Sequence, residues 1–204
     1  MGNKGSTDPS QVPLAHRIGA MTRYFARTER LRGKFLAAGQ WLINAWGPDF
    51  ESKIQATIVK DIREGIYRND PRWVNSAEAW QDLQLYHEQW LASLFVVVEG
   101  YRKLIAIEKD FRDSALLPLI HHRLAKELEE FRNVVYHFDA AYYDLQNRIR
   151  LRSPDELKWL GELQDALHEF FDSRVRKFYK ENGFPDPMDH YNPSSDREAG
   201  TDAS

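Results

Sequence analysis

The stretch FRNVVYHFD, residues 131–139, holds the side chains best suited to chemistry in this chain. Asn133 and His137 are four residues apart, so on a helix they share one face and the amide can hydrogen-bond the imidazole and favour one tautomer. Arg132 points about 100° away from its neighbour Asn133. The three residues form either a reactive site, which needs a kinked or capped helix or a second copy of the chain to bring Arg132 to His137, or a set of polar side chains on a helix surface.

Patterns typical of other catalytic sites are missing. The chain has no cysteine, which excludes disulfides, thiolate zinc sites and cysteine nucleophiles. It has no Glu-x-x-His pair, which the carboxylate di-metal sites of helical bundles require, and no glycine-rich phosphate loop. His121 and His122 are adjacent and point apart, and His87 and His168 stand alone on their helices. We therefore predict no metal site and no cofactor.

Charge is unevenly distributed along the chain. The net charge of −3 argues against a protein that binds nucleic acid over its whole surface, but residues 1–46 carry seven Lys and Arg against two Asp and Glu. Spacings of four, three and four stack the cations Arg23, Arg27, Arg30 and Lys34 along one helix face. That face either follows a phosphate backbone or is simply solvated.

Apolar residues recur at helical spacing throughout, and no strand is predicted. The first helix covers residues 14–46 and ends at Gly47-Pro48. A second covers 49–67, and a third follows the N-caps Asn75-Ser76. The third helix is apolar around most of its circumference, which predicts that it runs through the middle of a bundle.

Two further helices follow in the second half of the chain. One begins near Leu116 and passes through Phe131. The other starts at a capping box, with Ser153 as N-cap, Pro154 at the first helical position and Glu156 completing the box, and it ends near residue 180. The predicted fold is all-α, an up-and-down bundle of four to five main helices. A single domain at 14–183 is expected between disordered segments at 1–13 and 184–204.

The cytoplasm is the predicted location. The longest apolar run, residues 94–98, is far below the ~20 residues of a membrane-spanning helix, and no signal peptide is visible. The start MGNKGS fits the N-myristoylation pattern at Gly2, but flexible starts of this composition are common and one acyl chain binds a membrane only marginally. No stable membrane association is expected.

The motif R-N-x-x-x-H, formed by Arg132, Asn133 and His137 late in a helical bundle, resembles the R-x4-6-H motif of HEPN domains. SLFVVVEGYRKL, residues 93–104, resembles the apolar central helix of prokaryotic HEPN-like proteins, with Glu99 where a glutamate often stands. The resemblance covers about residues 77–180. The family's toxins that pair with minimal nucleotidyltransferases carry a tyrosine two residues after the histidine. Phe138-Asp139 occupy that region here, which puts this form of regulation in doubt.

The resemblance implies a homodimeric, metal-independent endoribonuclease of toxin/antitoxin or antiviral defence, with RNA as substrate and an inhibitor or antitoxin protein as a further partner. His137 would act as general base or acid on a ribose 2′-hydroxyl, and Arg132 would bind the phosphate. Asn133 and Glu99 would orient these groups, and the basic face of the first helix would bind RNA. The alternatives are a catalytically silent HEPN-like dimer that serves as an RNA- or protein-binding scaffold, and a membrane-associated partner module.

Overall fold

A computed structural model describes residues 12–64, 71–137 and 153–187 of the 204-residue chain. Within these ranges the regular structure is helical and contains no strand, which confirms the all-α prediction. The ends predicted to be disordered fall mainly in residues 1–11 and 188–204, outside the described ranges.

Helices make up most of the described chain, and they are numbered here in chain order. They are α1 (Val12–Trp46), α2 (Phe50–Glu64), α3 (Pro71–Ile107), α4 (Leu116–Ile120), α5 (Arg123–His137), α6 (Pro154–Phe170) and α7 (Arg176–Glu181). A 3₁₀ turn, Lys109–Phe111, lies between α3 and α4, and a π-helical turn, Phe171–Val175, joins α6 to α7. The last predicted helix is therefore confirmed, with one π-helical turn inside it. The predicted single helix from Leu116 through Phe131 is wrong, because His121 and His122 interrupt it between α4 and α5.

The boundary after α1 lies where the sequence predicted it. Helix α1 ends at Trp46, and Gly47 adopts φ +86°, a conformation that favours glycine.

The predicted N-cap of α3 is wrong: α3 begins at Pro71, so Asn75 and Ser76 lie inside the helix. Ser76 is buried, and its hydroxyl accepts a hydrogen bond from Trp46 Nε1 at 2.8 Å. Proline is favoured at the first helical position, whereas Ser76 is used in packing.

The capping box of α6 is confirmed. Glu156 N–H donates to Ser153 Oγ at 3.3 Å, and Ser153 N–H donates to Glu156 Oε2 at 3.0 Å.

Replacing Ser153 with alanine should lower the free energy of unfolding by about 1 kcal/mol, because the side-chain acceptor for the Glu156 amide is lost. Urea denaturation measures this loss. Ser52→Ala, at an exposed position in α2, is the control and should change stability by less than ~0.5 kcal/mol.

The chain divides into two compact units, and α1 and α3 contribute residues to both. In the first unit, which holds the described residues up to Thr28 and from Leu91 onward, the five consecutive residues Leu91–Phe95 are all buried. Helix α3 is thus central to this unit, as its apolar circumference predicted. Phe25 stacks on Phe171 with ring centroids 4.4 Å apart. In the second unit, residues 29–90, a smaller core contains Leu42, Phe50, Ile54 and Leu83.

The chain continues to pack after α7. Phe184 N–H donates to the Tyr179 carbonyl at 2.9 Å, and the Phe184 ring lies against those of Phe178 and Tyr179. Asp186 Oδ2 lies 3.4 Å from Arg176 Nε. These contacts lie beyond residue 183, where the predicted domain ends. The single domain at 14–183 stays a prediction.

Candidate functional site

Arg132 on α5 is bound from three sides within the first unit. Its Nη2 donates to Glu99 Oε2 at 2.9 Å, and its Nη1 donates to Asn133 Oδ1 at 2.8 Å. The guanidinium carbon lies 5.4 Å from the centroid of the Phe95 ring, a cation–π distance. The Arg132 side chain is 25% exposed to solvent. The guanidinium is therefore fixed in orientation and still accessible to solvent.

The helix faces explain why Arg132 reaches α3. The large buried residues of α5 recur at spacings of four, three and four: Leu124, Leu128, Phe131 and Val135. Arg132 follows Phe131 and therefore lies at the edge of this apolar face, where a long side chain can extend along the neighbouring helix. On α3, Phe95 and Glu99 are one turn apart, so the ring and the carboxylate meet the same guanidinium.

Glu99 is shared between two cations. Its Oε1 accepts from Lys103 Nζ at 2.7 Å, one turn further along α3, while its Oε2 accepts from Arg132. The pKa of Glu99 lies below its ordinary value, chiefly because Lys103 hydrogen-bonds the carboxylate; partial burial opposes the shift, and Arg132 adds to it. Glu99 is therefore held in its charged form at neutral pH.

The depressed pKa of Glu99 predicts a pH-dependent contribution to stability. The contribution is complete above the unfolded-state value, near 4.5, and is lost as the pH falls below it through the lower folded-state value. Glu99→Gln should therefore destabilise the protein at pH 7, and the difference from wild type should shrink at pH 3. Glu162→Gln, in an exposed pair with Lys158, is the control. Urea denaturation at the two pH values checks this, and an equal difference at both would contradict it.

The four predicted catalytic residues differ in what can be stated of them. Arg132, Asn133 and Glu99 are brought together. His137 is the last residue of α5, and its side chain lies outside the described part of the structure. The predicted pairing of Asn133 with His137 stays a prediction, although the Asn133 amide oxygen accepts from Arg132. Helix α5 is α-helical from Arg123 to His137, so residues 132 and 137 lie on one continuous helix. That a second copy of the chain brings Arg132 to His137 stays a prediction.

The basic residues predicted to bind RNA all lie on α1 and are exposed: Arg23, Arg27, Arg30 and Lys34. Arg23 and Arg27 belong to the first unit, and Arg30 and Lys34 to the second. Lys34 Nζ lies 5.3 Å from the centroid of the Tyr86 ring. The exposure of these side chains fits either a phosphate-binding face or a solvated one.

Sequence reasoning missed Lys103 and Phe95. Lys103 follows Glu99 by four residues, and a Glu-to-Lys pair at this spacing is a recognisable helix pattern. That signal was available in the sequence. Phe95 offered none, because an apolar residue inside an apolar run does not reveal which ring will face a cation.

The class of protein that the described residues define is all-α, with a cation–carboxylate cluster between α3 and α5. Comparison with family models, curated proteins and solved structures finds no match to this chain. Among the described residues, no helix has the length and apolar character needed to cross a membrane, and no group of three or more His, Asp or Glu residues is arranged to hold a metal ion.

Proposed function

We propose that the chain is a metal-independent endoribonuclease of the HEPN type, acting as a homodimer in the cytoplasm. The observation that carries the proposal is the Arg132 guanidinium, held by Glu99, Asn133 and Phe95 five residues before His137. A phosphate that gains negative charge during cleavage is best stabilised by a donor oriented in advance. Arginine has five N–H donors, and the two contacts described leave donors for a phosphate.

The reaction follows from the residue types. His137 of one copy takes the proton from a ribose 2′-hydroxyl, and that oxygen attacks the adjacent phosphorus. The bond from phosphorus to the 5′-oxygen breaks, and the imidazolium of the second copy protonates the leaving oxygen. The products are a 2′,3′-cyclic phosphate and a 5′-hydroxyl end. Arg132 binds the phosphate oxygens while their charge increases.

Helix geometry favours two copies. Arg132 and His137 are five residues apart on one continuous helix, which places them about 140° apart around its axis. A symmetric pair of α5 helices presents the arginine of one copy beside the histidine of the other. RNA is the substrate, and the exposed cations of α1 are further candidates for phosphate contacts. An inhibitor or antitoxin protein in a defence system is the further partner.

The test is RNA cleavage by the full chain in the presence of a chelator. Wild type should cut, and His137→Ala should cut roughly 10²–10⁴-fold more slowly, because a general acid–base group is lost. His121→Ala is the matched control, since His121 is an exposed histidine just before α5. Intact RNA with wild type, or equal cutting by His137→Ala, would overturn the proposal. A monomeric solution mass would overturn the composite site.

One observation favours a second function, a catalytically silent scaffold dimer that binds RNA or protein. The same Arg132–Glu99 pair at 2.9 Å partly neutralises the guanidinium and joins α5 to α3, which is what a structural ion pair does. In that case Arg132→Ala lowers stability, and neither the wild type nor the variant cuts RNA. The cleavage assay therefore separates the two functions directly.

A further inference from the structure

A cavity of about 560 Å³ lies between α1 and α3 in the first unit. Its walls are mostly apolar: α1 contributes Ile18, Ala20 and Met21, and α3 contributes Gly100, Leu104 and Ile107. The Ile107 side chain at its mouth is 52% exposed. An apolar cavity of this size is within the range of about 300–1,000 Å³ typical of small-molecule sites.

Helices α1 and α3 approach closely beside the cavity. Gly100 has no side chain, and a Cβ added there would lie 3.3 Å from Met21 Sδ. Ala20 and Ala106 line the cavity without filling it. Met21 is buried and forms part of the wall. A thioether side chain adapts its shape to an apolar ligand.

Two cations border the cavity. Arg17 and Lys103 are the charged residues among the described residues that line it. The Lys103 side chain is 75% exposed and its ammonium also contacts Glu99. An apolar cavity bordered by two cations is complementary to a ligand with one hydrocarbon body and one anionic end.

We propose that this cavity binds a single-chain anionic amphiphile of the fatty-acid type. The hydrocarbon chain lies between α1 and α3 against the apolar wall, and the carboxylate is bound by Arg17 and Lys103. The proposal does not rest on the ribonuclease function, because it concerns binding and includes no reaction, although the Lys103 ammonium also contacts Glu99.

Isothermal titration calorimetry with the full chain tests this, using decanoate below its micelle concentration. Decanol and decyltrimethylammonium are ligands of similar length with neutral and cationic ends. Arg17→Ala and Lys103→Ala should each weaken decanoate binding roughly tenfold, since each removes a charge-assisted contact. Both should leave decanol binding unchanged. Lys109→Ala, at an exposed lysine outside the cavity, is the control and should bind as wild type.

A second pair of variants tests the location. Ala106→Trp fills the cavity and should weaken binding of both decanoate and decanol at least ~10-fold, whereas Ala37→Trp, at an exposed alanine elsewhere on α1, should not. If Ala106→Trp loses helical circular dichroism, Ile107→Asp takes its place, because a carboxylate at the mouth repels decanoate. Equal affinity for decanoate and decyltrimethylammonium, no effect of these variants, or binding to anionic vesicles without binding of monomeric decanoate would overturn the proposal.

Discussion

Substituting lysine for Arg132 is expected to slow RNA cleavage by at least ~10²-fold while the protein stays folded. A lysine ammonium can still pair with Glu99, so the ion pair between α5 and α3 survives in part. It cannot present a planar fork that donates to Glu99, Asn133 and a phosphate at once. The stabilisation of charge on the phosphate is therefore lost although the net charge is unchanged.

The matched control for this substitution is Arg123→Lys. Arg123 lies on the same helix and pairs with Glu127 at 3.0 Å, but it is 71% exposed and outside the cluster. Initial rates of RNA cleavage in chelator and the thermal midpoint are measured for both variants. Cleavage by Arg132→Lys at the wild-type rate would show that Arg132 contributes only its charge, and the proposed role would be wrong.

Replacing Phe25 with alanine should lower the free energy of unfolding by about 3–5 kcal/mol. Phe25 is fully buried, and its ring stacks on Phe171, at the start of the π-helical turn. The substitution removes this contact and leaves a cavity that the surrounding helices fill only in part. A loss of this size is a large fraction of the stability of a typical domain.

Tyr24 provides the control beside it on α1. Its ring is 42% exposed, so Tyr24→Ala should cost less than ~1 kcal/mol. Guanidinium denaturation followed by circular dichroism gives both values. Equal losses for the two variants would contradict the packing of Phe25 in the first unit. The loss of stability in Phe25→Ala should also lower the rate of RNA cleavage, although Arg132 is unchanged. Cleavage rates must therefore be compared under conditions in which both variants stay folded.

Helix positions were predictable to a large extent, because their signals are local. Gly47 ends α1 through its own backbone conformation, and the Ser153–Glu156 capping box starts α6 through bonds within four residues. The start of α3 was mispredicted for the opposite reason. Serine is a residue type favoured at N-caps. The Ser76 hydroxyl instead accepts a hydrogen bond from Trp46, which lies 30 residues earlier in the chain.

The candidate site was predictable in its residue types and only partly in its geometry. Helix spacing predicts that Arg132 and His137 do not meet on one helix, and this stays a prediction because the His137 side chain lies outside the described part of the structure. Helix spacing also indicated that Arg132 diverges from Asn133, whereas the long arginine side chain reaches the Asn133 oxygen. Only the HEPN resemblance predicts Glu99 as a site residue. Its hydrogen bond from Arg132 connects residues 33 apart in the chain, which local spacing does not indicate.

The sequence by itself determined that the described residues are helical, that α1 ends at Gly47 and α6 begins at Ser153, and that the apolar run of α3 including Leu91–Phe95 is buried. These properties depend on residues within one or two turns of each other. Only the tertiary structure decided that Arg132 pairs with Glu99 over Phe95, and that small residues of α1 and α3 enclose a cavity bordered by Arg17 and Lys103. The physical reason is that these features depend on which helix faces meet, and local spacing does not specify that.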